Sequence, residues 1–150
     1  MPQSLVKNYM HIVFSTKNRQ PFIDLSIKTA LHAYLGSTCQ KLGCPVIIVG
    51  GVEDHVHILC LLSKSISLSE LVGKIKANSS KWMKTQGAKY ANFYWQRGYG
   101  GFSVNPAKTE AVKKYIQNQE EHHKKRTFKA EYRLFLKKYK IEYDERYVWD

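Results

Sequence analysis

Pro45-Val46-Ile47-Ile48-Val49-Gly50-Gly51-Val52-Glu53-Asp54-His55-Val56-His57-Ile58-Leu59-Cys60-Leu61-Leu62 is the stretch that decides the fold. Two apolar runs, the first β-branched, are joined by the short acidic turn Glu53-Asp54, which predicts a central hairpin of buried strands. Upstream, Tyr9 to Phe14 is short, apolar and bounded by polar residues, so it reads as a buried first strand. Between that strand and the hairpin, Ile27, Ala30, Leu31, Tyr34 and Leu35 recur at helical spacing over 26–42, and Gly43 with Pro45 supplies a stop. Downstream, Ser67 and Glu70 have the spacing of a capping box, heading a second helix with Leu68, Leu71, Val72, Ile75, Trp82 and Met83 along one stripe.

The remainder completes a sheet and then leaves it. After the irregular stretch 93–101, Phe102-Ser103-Val104 can supply a last short strand. Asn105-Pro106 places a cap and an N1 proline at the head of a third helix, with Val112, Tyr115, Ile116 and Gln119 on one face. A fourth helical segment runs from about Phe128 to Tyr139, ahead of a tail from Ile141 to Asp150. The order strand, helix, strand, strand, helix, strand, then added helices predicts an α+β fold. It is a ferredoxin-like (split βαβ) antiparallel sheet with a C-terminal helical extension, one domain over 1–150.

Composition narrows the partners. The chain has 150 residues, a net charge of +12, 43% hydrophobic and 13% aromatic residues, enough for a packed core and too apolar for a disordered basic tail. Residues 1–75 carry seven Lys/Arg and four Asp/Glu, and residues 76–150 carry seventeen and eight, so the second half holds most of the excess. No acidic residue lies between Glu70 and Glu110, where Lys74, Lys76, Lys81, Lys84, Lys89, Arg97 and Lys108 alternate with Trp82, Tyr90, Phe93, Tyr94, Trp95 and Tyr99. Phosphate contact with base stacking is one reading of that mixture, and a solvated basic helix face beside a core-packed aromatic loop is the other. Three cysteines, Cys39, Cys44 and Cys60, without a Cys-x-x-Cys pair predict reduced thiols and neither a disulfide framework nor a zinc ribbon. No signal-like N-terminus or membrane span is legible, so the expected location is cytoplasmic.

Chemistry starts at His55-Val56-His57. Residues two apart on a strand share a face, so both imidazoles project together and offer two thirds of a divalent metal site, or else are two satisfied structural histidines. Tyr115 and Gln119, four apart, stack on one helix face; the glutamine carbonyl suits Mg²⁺ or Mn²⁺ and the tyrosine is a candidate nucleophile or a filler of the apolar stripe. Tyr132, Tyr139, Tyr143 and Tyr147 compete in principle, but none has a glutamine four residues later.

The His55-Val56-His57 strand, the segment 95–104 and Tyr115-Ile116-Gln117-Asn118-Gln119 together resemble the single-tyrosine HUH transposases of small bacterial and archaeal insertion sequences, over essentially the whole chain. That resemblance implies a DNA transposase carrying its catalytic tyrosine on the helical extension. Tyr115 would attack the scissile phosphate of single-stranded DNA to leave a 5′-phosphotyrosine link. His55, His57 and Gln119 would hold one divalent metal, Mg or Mn. It implies homodimers in which the tyrosine helix of one protomer completes the partner's site, acting on DNA hairpins at element ends. Lys74, Lys76, Lys81, Lys84 and Arg97 are the candidates for hairpin phosphates. Glu53 and Asp54 read as the turn, with an orienting role at an imidazole as the alternative, and His122 and His123 read as solvated or DNA-facing, with extra metal ligands as the alternative, since His123 lies four beyond Gln119. Two other readings stay open: a non-catalytic single-strand-binding module, and a domesticated relative that processes repeated palindromes.

Overall fold

The computed structural model describes residues 2–150. Strand β1 (Tyr9–Ser15) leads through a 3-10 turn to helix α1 (Lys28–Lys41), then the hairpin β2 (Val46–Val52) and β3 (His55–Leu61), helix α2 (Leu68–Lys84) and strand β4 (Gly100–Val104). Helices α3 (Thr109–Gln117), α4 (Gln119–His123) and α5 (Phe128–Lys138) follow. The four strands form one antiparallel sheet in the order β2-β3-β1-β4, the ferredoxin-like arrangement. None of the described helices is long and apolar enough to cross a membrane.

Strand alternation divides the sheet into two chemical faces. Met10, Ile12 and Phe14 of β1 and Val56, Ile58 and Cys60 of β3 point to α1 and α2, where Leu31, Leu35, Leu71, Val72, Ile75 and Met83 complete the main core. Each large aliphatic side chain buried there contributes about 1.5–3 kcal/mol. Cys39, Cys44 and Cys60 are free and buried. Tyr34 stacks on Trp82 at 4.9 Å and ties the two helices. The Ser67 side chain accepts the Glu70 amide as the capping sequence predicts.

The opposite face carries His11 and Val13 of β1, His55, His57 and Leu59 of β3, and Phe102 and Val104 of β4. Helices α3 to α5 cover it through Ile116, Phe128, Tyr132 and Leu136. Helix α3 can lie this close because position 50 is glycine: a Cβ there would meet Ile116 Cγ2 at 2.6 Å and the Ile116 carbonyl at 2.7 Å. The tail folds back, with Trp149 edge-on to Tyr132 and the Asp150 carbonyl accepting the Gly98 amide at 2.8 Å.

The third helix differs from its sequence expectation. Tyr115 and Gln119 lie on two short helices, not one, because the chain breaks at Asn118 (φ −99°, ψ 26°), whose amide lies 3.2 Å from the Lys114 carbonyl and 3.3 Å from that of Tyr115. The break redirects α4 across the end of the hairpin.

Candidate active site

His55 and His57 open β3 and are fully buried, with ring centroids 5.2 Å apart. The acidic turn both reverses the chain and orients an imidazole: His55 Nδ1 donates to Asp54 Oδ1 at 2.7 Å, while Nε2 lies 3.1 Å from Gln119 Oε1. Burial opposes charge on His55, but hydrogen bonds to Asp54 and Glu131 outweigh it and raise its pKa to about 9. His57 is different: burial lowers its pKa to about 4 despite Glu131. Its Nε2 lies 3.0 Å from Glu131 Oε1, and its Nδ1 lies 2.7 Å from His11 Nε2 on the neighbouring strand. A carboxylate only accepts, so neutral His57 donates from Nε2 and receives the His11 proton at Nδ1.

Glu131, on α5, stands at the centre. Its side chain is 1% exposed, and although burial disfavours its charge, contacts with His123, His55 and His57 hold the carboxyl far below its ordinary range. Tyr115 donates its phenolic proton to Glu131 Oε2, and Gln119 Nε2 donates to the same oxygen at 3.3 Å. Burial and the adjoining carboxylate both raise the Tyr115 pKa, so the hydroxyl rests protonated. His123 and His122 are drawn in as well, unlike the solvated positions their sequence suggests. His123 Nε2 is 3.0 Å from Gln119 Oε1 and 3.3 Å from Glu131 Oε1, and the His122 ring stacks on Tyr115 at 4.3 Å. The turn at Asn118 is the cause, since it carries α4 back toward His55.

All four predicted residues, Tyr115, His55, His57 and Gln119, therefore come together within the one chain described. The donor set fits a divalent ion: ligand atoms of His55, His57, His123 and Glu131 all lie within 4.8 Å of one another, with the Gln119 carbonyl oxygen alongside. Three imidazoles and a carboxylate suit a divalent ion, and no thiolate is present in this set to favour softer metals. Sequence reading missed Glu131 and His11. Glu131 carried a signal, being an acid on the buried stripe of α5 with Phe128, Tyr132 and Leu136.

The predicted DNA contacts divide. Lys76 Nζ donates to the carbonyls of Gln96, Arg97 and Gly98 at 2.8, 3.1 and 2.6 Å, and burial lowers its pKa to about 8. Lys84 Nζ donates to the Phe93 carbonyl at 2.7 Å and sits 4.3 Å over the Tyr94 ring. Lys74 pairs with Glu70 at 3.3 Å on the surface. Lys81 and Arg97 are exposed and, among the described residues, have no ion-pair partner.

Comparison with known proteins agrees with this architecture. The profile of a family described as "Transposase IS200 like" matches residues 4–119, and the chain belongs to that family. The transposases for insertion sequence element IS200 of Salmonella typhimurium and Salmonella typhi are each 29% identical over 119 residues, covering 76% of this chain and 78% of theirs. Among solved structures, a candidate transposase from Deinococcus radiodurans R1 superposes with a TM-score of 0.62 at 19% identity, over 79% of this chain and 98% of that one. A REP-associated tyrosine transposase bound to a REP hairpin gives 0.54 at 12% identity, over 79% and 68%. Glu131 and all of α5 lie beyond the matched family segment.

Proposed function

We propose that this protein is a DNA transposase that nicks and rejoins single-stranded DNA at hairpin-marked ends through a 5′-phosphotyrosine link. The observation that carries the reading is the convergence of half-buried Tyr115 on the buried side chains of Gln119, His55 and His57 in an IS200-like transposase. Tyr115 Oη attacks the phosphorus as the bond from phosphorus to the 3′-oxygen breaks. Glu131 Oε2 orients the hydroxyl, the phenolic proton is lost to water, and the departing 3′-oxygen takes a proton from water. The reverse attack by the 3′-hydroxyl rejoins the strand without ATP, because one phosphodiester replaces another of similar free energy. A divalent ion, Mg²⁺ or Mn²⁺, held by His55, His57 and Gln119 with Glu131 and His123 in reach, would polarise the scissile phosphate and offset developing charge.

Lys74, Lys76, Lys81, Lys84 and Arg97 are proposed for hairpin phosphates, with Lys81 and Arg97 foremost because their cations are unengaged. Hairpin recognition draws support from the neighbour bound to a REP hairpin, which also favours a second reading, the processing of repeated palindromes. Since one tyrosine holds one strand end, joining two ends calls for a homodimer acting in the cytoplasm on both. Incubation with a single-stranded terminal hairpin, followed by denaturing electrophoresis, tests the proposal. Wild type forms a covalent adduct that maps to Tyr115, and Tyr115→Phe forms none while binding the hairpin within a few-fold. An adduct retained by Tyr115→Phe moves the nucleophile elsewhere, and binding with no adduct in wild type leaves a non-catalytic binding module.

A further inference from the structure

Two clefts meet at Tyr115. The larger, about 650 Å³, opens between β4, α3 and α5 and is lined by Val104, Lys108, Val112, Phe135, Lys138 and Tyr139 together with Tyr115. The smaller is bordered by Tyr115, Arg126, Glu131, Phe135 and Lys138, so the tyrosine forms the ridge between them. No carboxylate lines the larger cleft, and Lys108, Lys138 and Arg126 have no ion-pair partner among the described residues. Its aromatic wall is preset: Phe135 stacks on Phe102 at 5.2 Å and 21°, and Tyr139 leans on Phe102 at 4.8 Å while donating to the Ser103 carbonyl at 3.2 Å. Tyr139 nevertheless stays 37% exposed. A concave site with an aromatic wall, unpaired cations and a nucleophile at its border has the chemistry of a nucleotide subsite.

We infer that the cleft between β4, α3 and α5 binds the nucleotide of single-stranded DNA adjoining the scissile phosphate, its base against Phe135 and Tyr139 and its phosphates on Lys108 and Lys138. The inference rests on the reading of Tyr115 as nucleophile for the word "adjoining", and on the cleft alone for the binding. A single strand is the occupant because stacking needs an unpaired base face, which a duplex does not offer. Phe135, Lys138 and Tyr139 belong to or follow α5, outside the matched family segment, so the extension supplies one wall of this subsite while β4 and α3, with Lys108, supply the other.

Fluorescence anisotropy of a fluorescein-labelled dT12 strand in EDTA, across a salt series, tests it without any chemistry. In Lys108→Ala/Lys138→Ala the slope of log affinity against log salt falls by about 1.4, given about 0.7 per phosphate for single strands. Lys41→Ala/Lys64→Ala removes the same charge from the far end of the hairpin and leaves the slope unchanged. Tyr139→Ala weakens dT12 binding about tenfold at fixed salt, and so does Tyr139→Leu, which keeps the packing on Phe102. Equal slopes in the two lysine variants, or wild-type binding by Tyr139→Leu, overturn the subsite. Failure of the Tyr115 reading shows separately, as missing adduct with these binding differences intact.

Discussion

Protons and a metal ion compete for the same histidine nitrogen. At neutral pH His55 is protonated, because its pKa is raised to about 9 by Asp54 and Glu131 against the opposing effect of burial. A divalent ion needs the Nε2 lone pair, so binding must release that proton, and apparent affinity must rise with pH until about 9. Calorimetric titration with Mn²⁺ is expected to show up to about tenfold tighter binding per pH unit between pH 6.5 and 8.5, with one proton released. A flat profile would exclude His55 as a ligand. His57 is already neutral, and its constraint is tautomeric: an ion at Nε2 obliges Nδ1 to carry the proton and His11 Nε2, 2.7 Å away, to accept it. His11→Leu, which removes the acceptor, should therefore lower Mn²⁺ affinity about 10–100-fold, and His11→Gln, whose amide carbonyl can still accept, should retain most of it. Unchanged affinity in His11→Leu would reduce His11 to packing against Phe102 and Phe135.

At the scale of elements, the approach of α3 to the sheet depends on one missing side chain. Gly50→Ala puts a Cβ 2.6 Å from Ile116 Cγ2 and 2.7 Å from a backbone oxygen that cannot rotate away. The expected cost is about 1–3 kcal/mol of stability by denaturant unfolding. Nicking should also fall, because Tyr115 and Gln119 ride on the displaced segment; full activity at native stability would show that α3 has slack. The strands and the first two helices were legible because periods of two and 3.6 residues are written in apolar spacing, from Met10-Ile12-Phe14 to Leu71-Val72-Ile75. The His55 and His57 pairing was legible for the same reason. The break at Asn118 was not, since the apolar stripe runs on into Gln119 and only tertiary contacts with His55 and Glu131 favour the turn over continued helix. Nor was the use of Lys76, whose row on α2 looks solvated in sequence. The loop carbonyls of Gln96, Arg97 and Gly98 lie outside any strand ladder and draw its ammonium inward.

For the whole molecule, the sheet has one structural face and one chemical face, and the C-terminal extension turns the second into a closed site. Without α3 to α5, His55, His57, His11 and Val13 would face water and no cluster would be enclosed. Because α4 and α5 bring Gln119, His123 and Glu131 to the histidines of their own chain, every group in the cluster is supplied in cis. This gives a mixing experiment a definite sign. If each chain completes its own site, mixing His57→Ala protein with Tyr115→Phe protein restores no adduct, even when both copies share a dimer, since neither copy contains an intact site. If the tyrosine segment crosses between protomers, half of the sites in mixed dimers are intact and adduct returns to a substantial fraction of wild type. The contacts of Tyr115 and Gln119 with Glu131, buried and anchored on α5 by the Phe128, Tyr132 and Leu136 stripe, favour the first outcome. Exchange would have to break those contacts and strand the Glu131 carboxylate among histidines, at a cost of a few kcal/mol for each buried partner lost. Recovered adduct in the mixture would mean that the extension opens and that DNA or the partner chain supplies the replacement contacts.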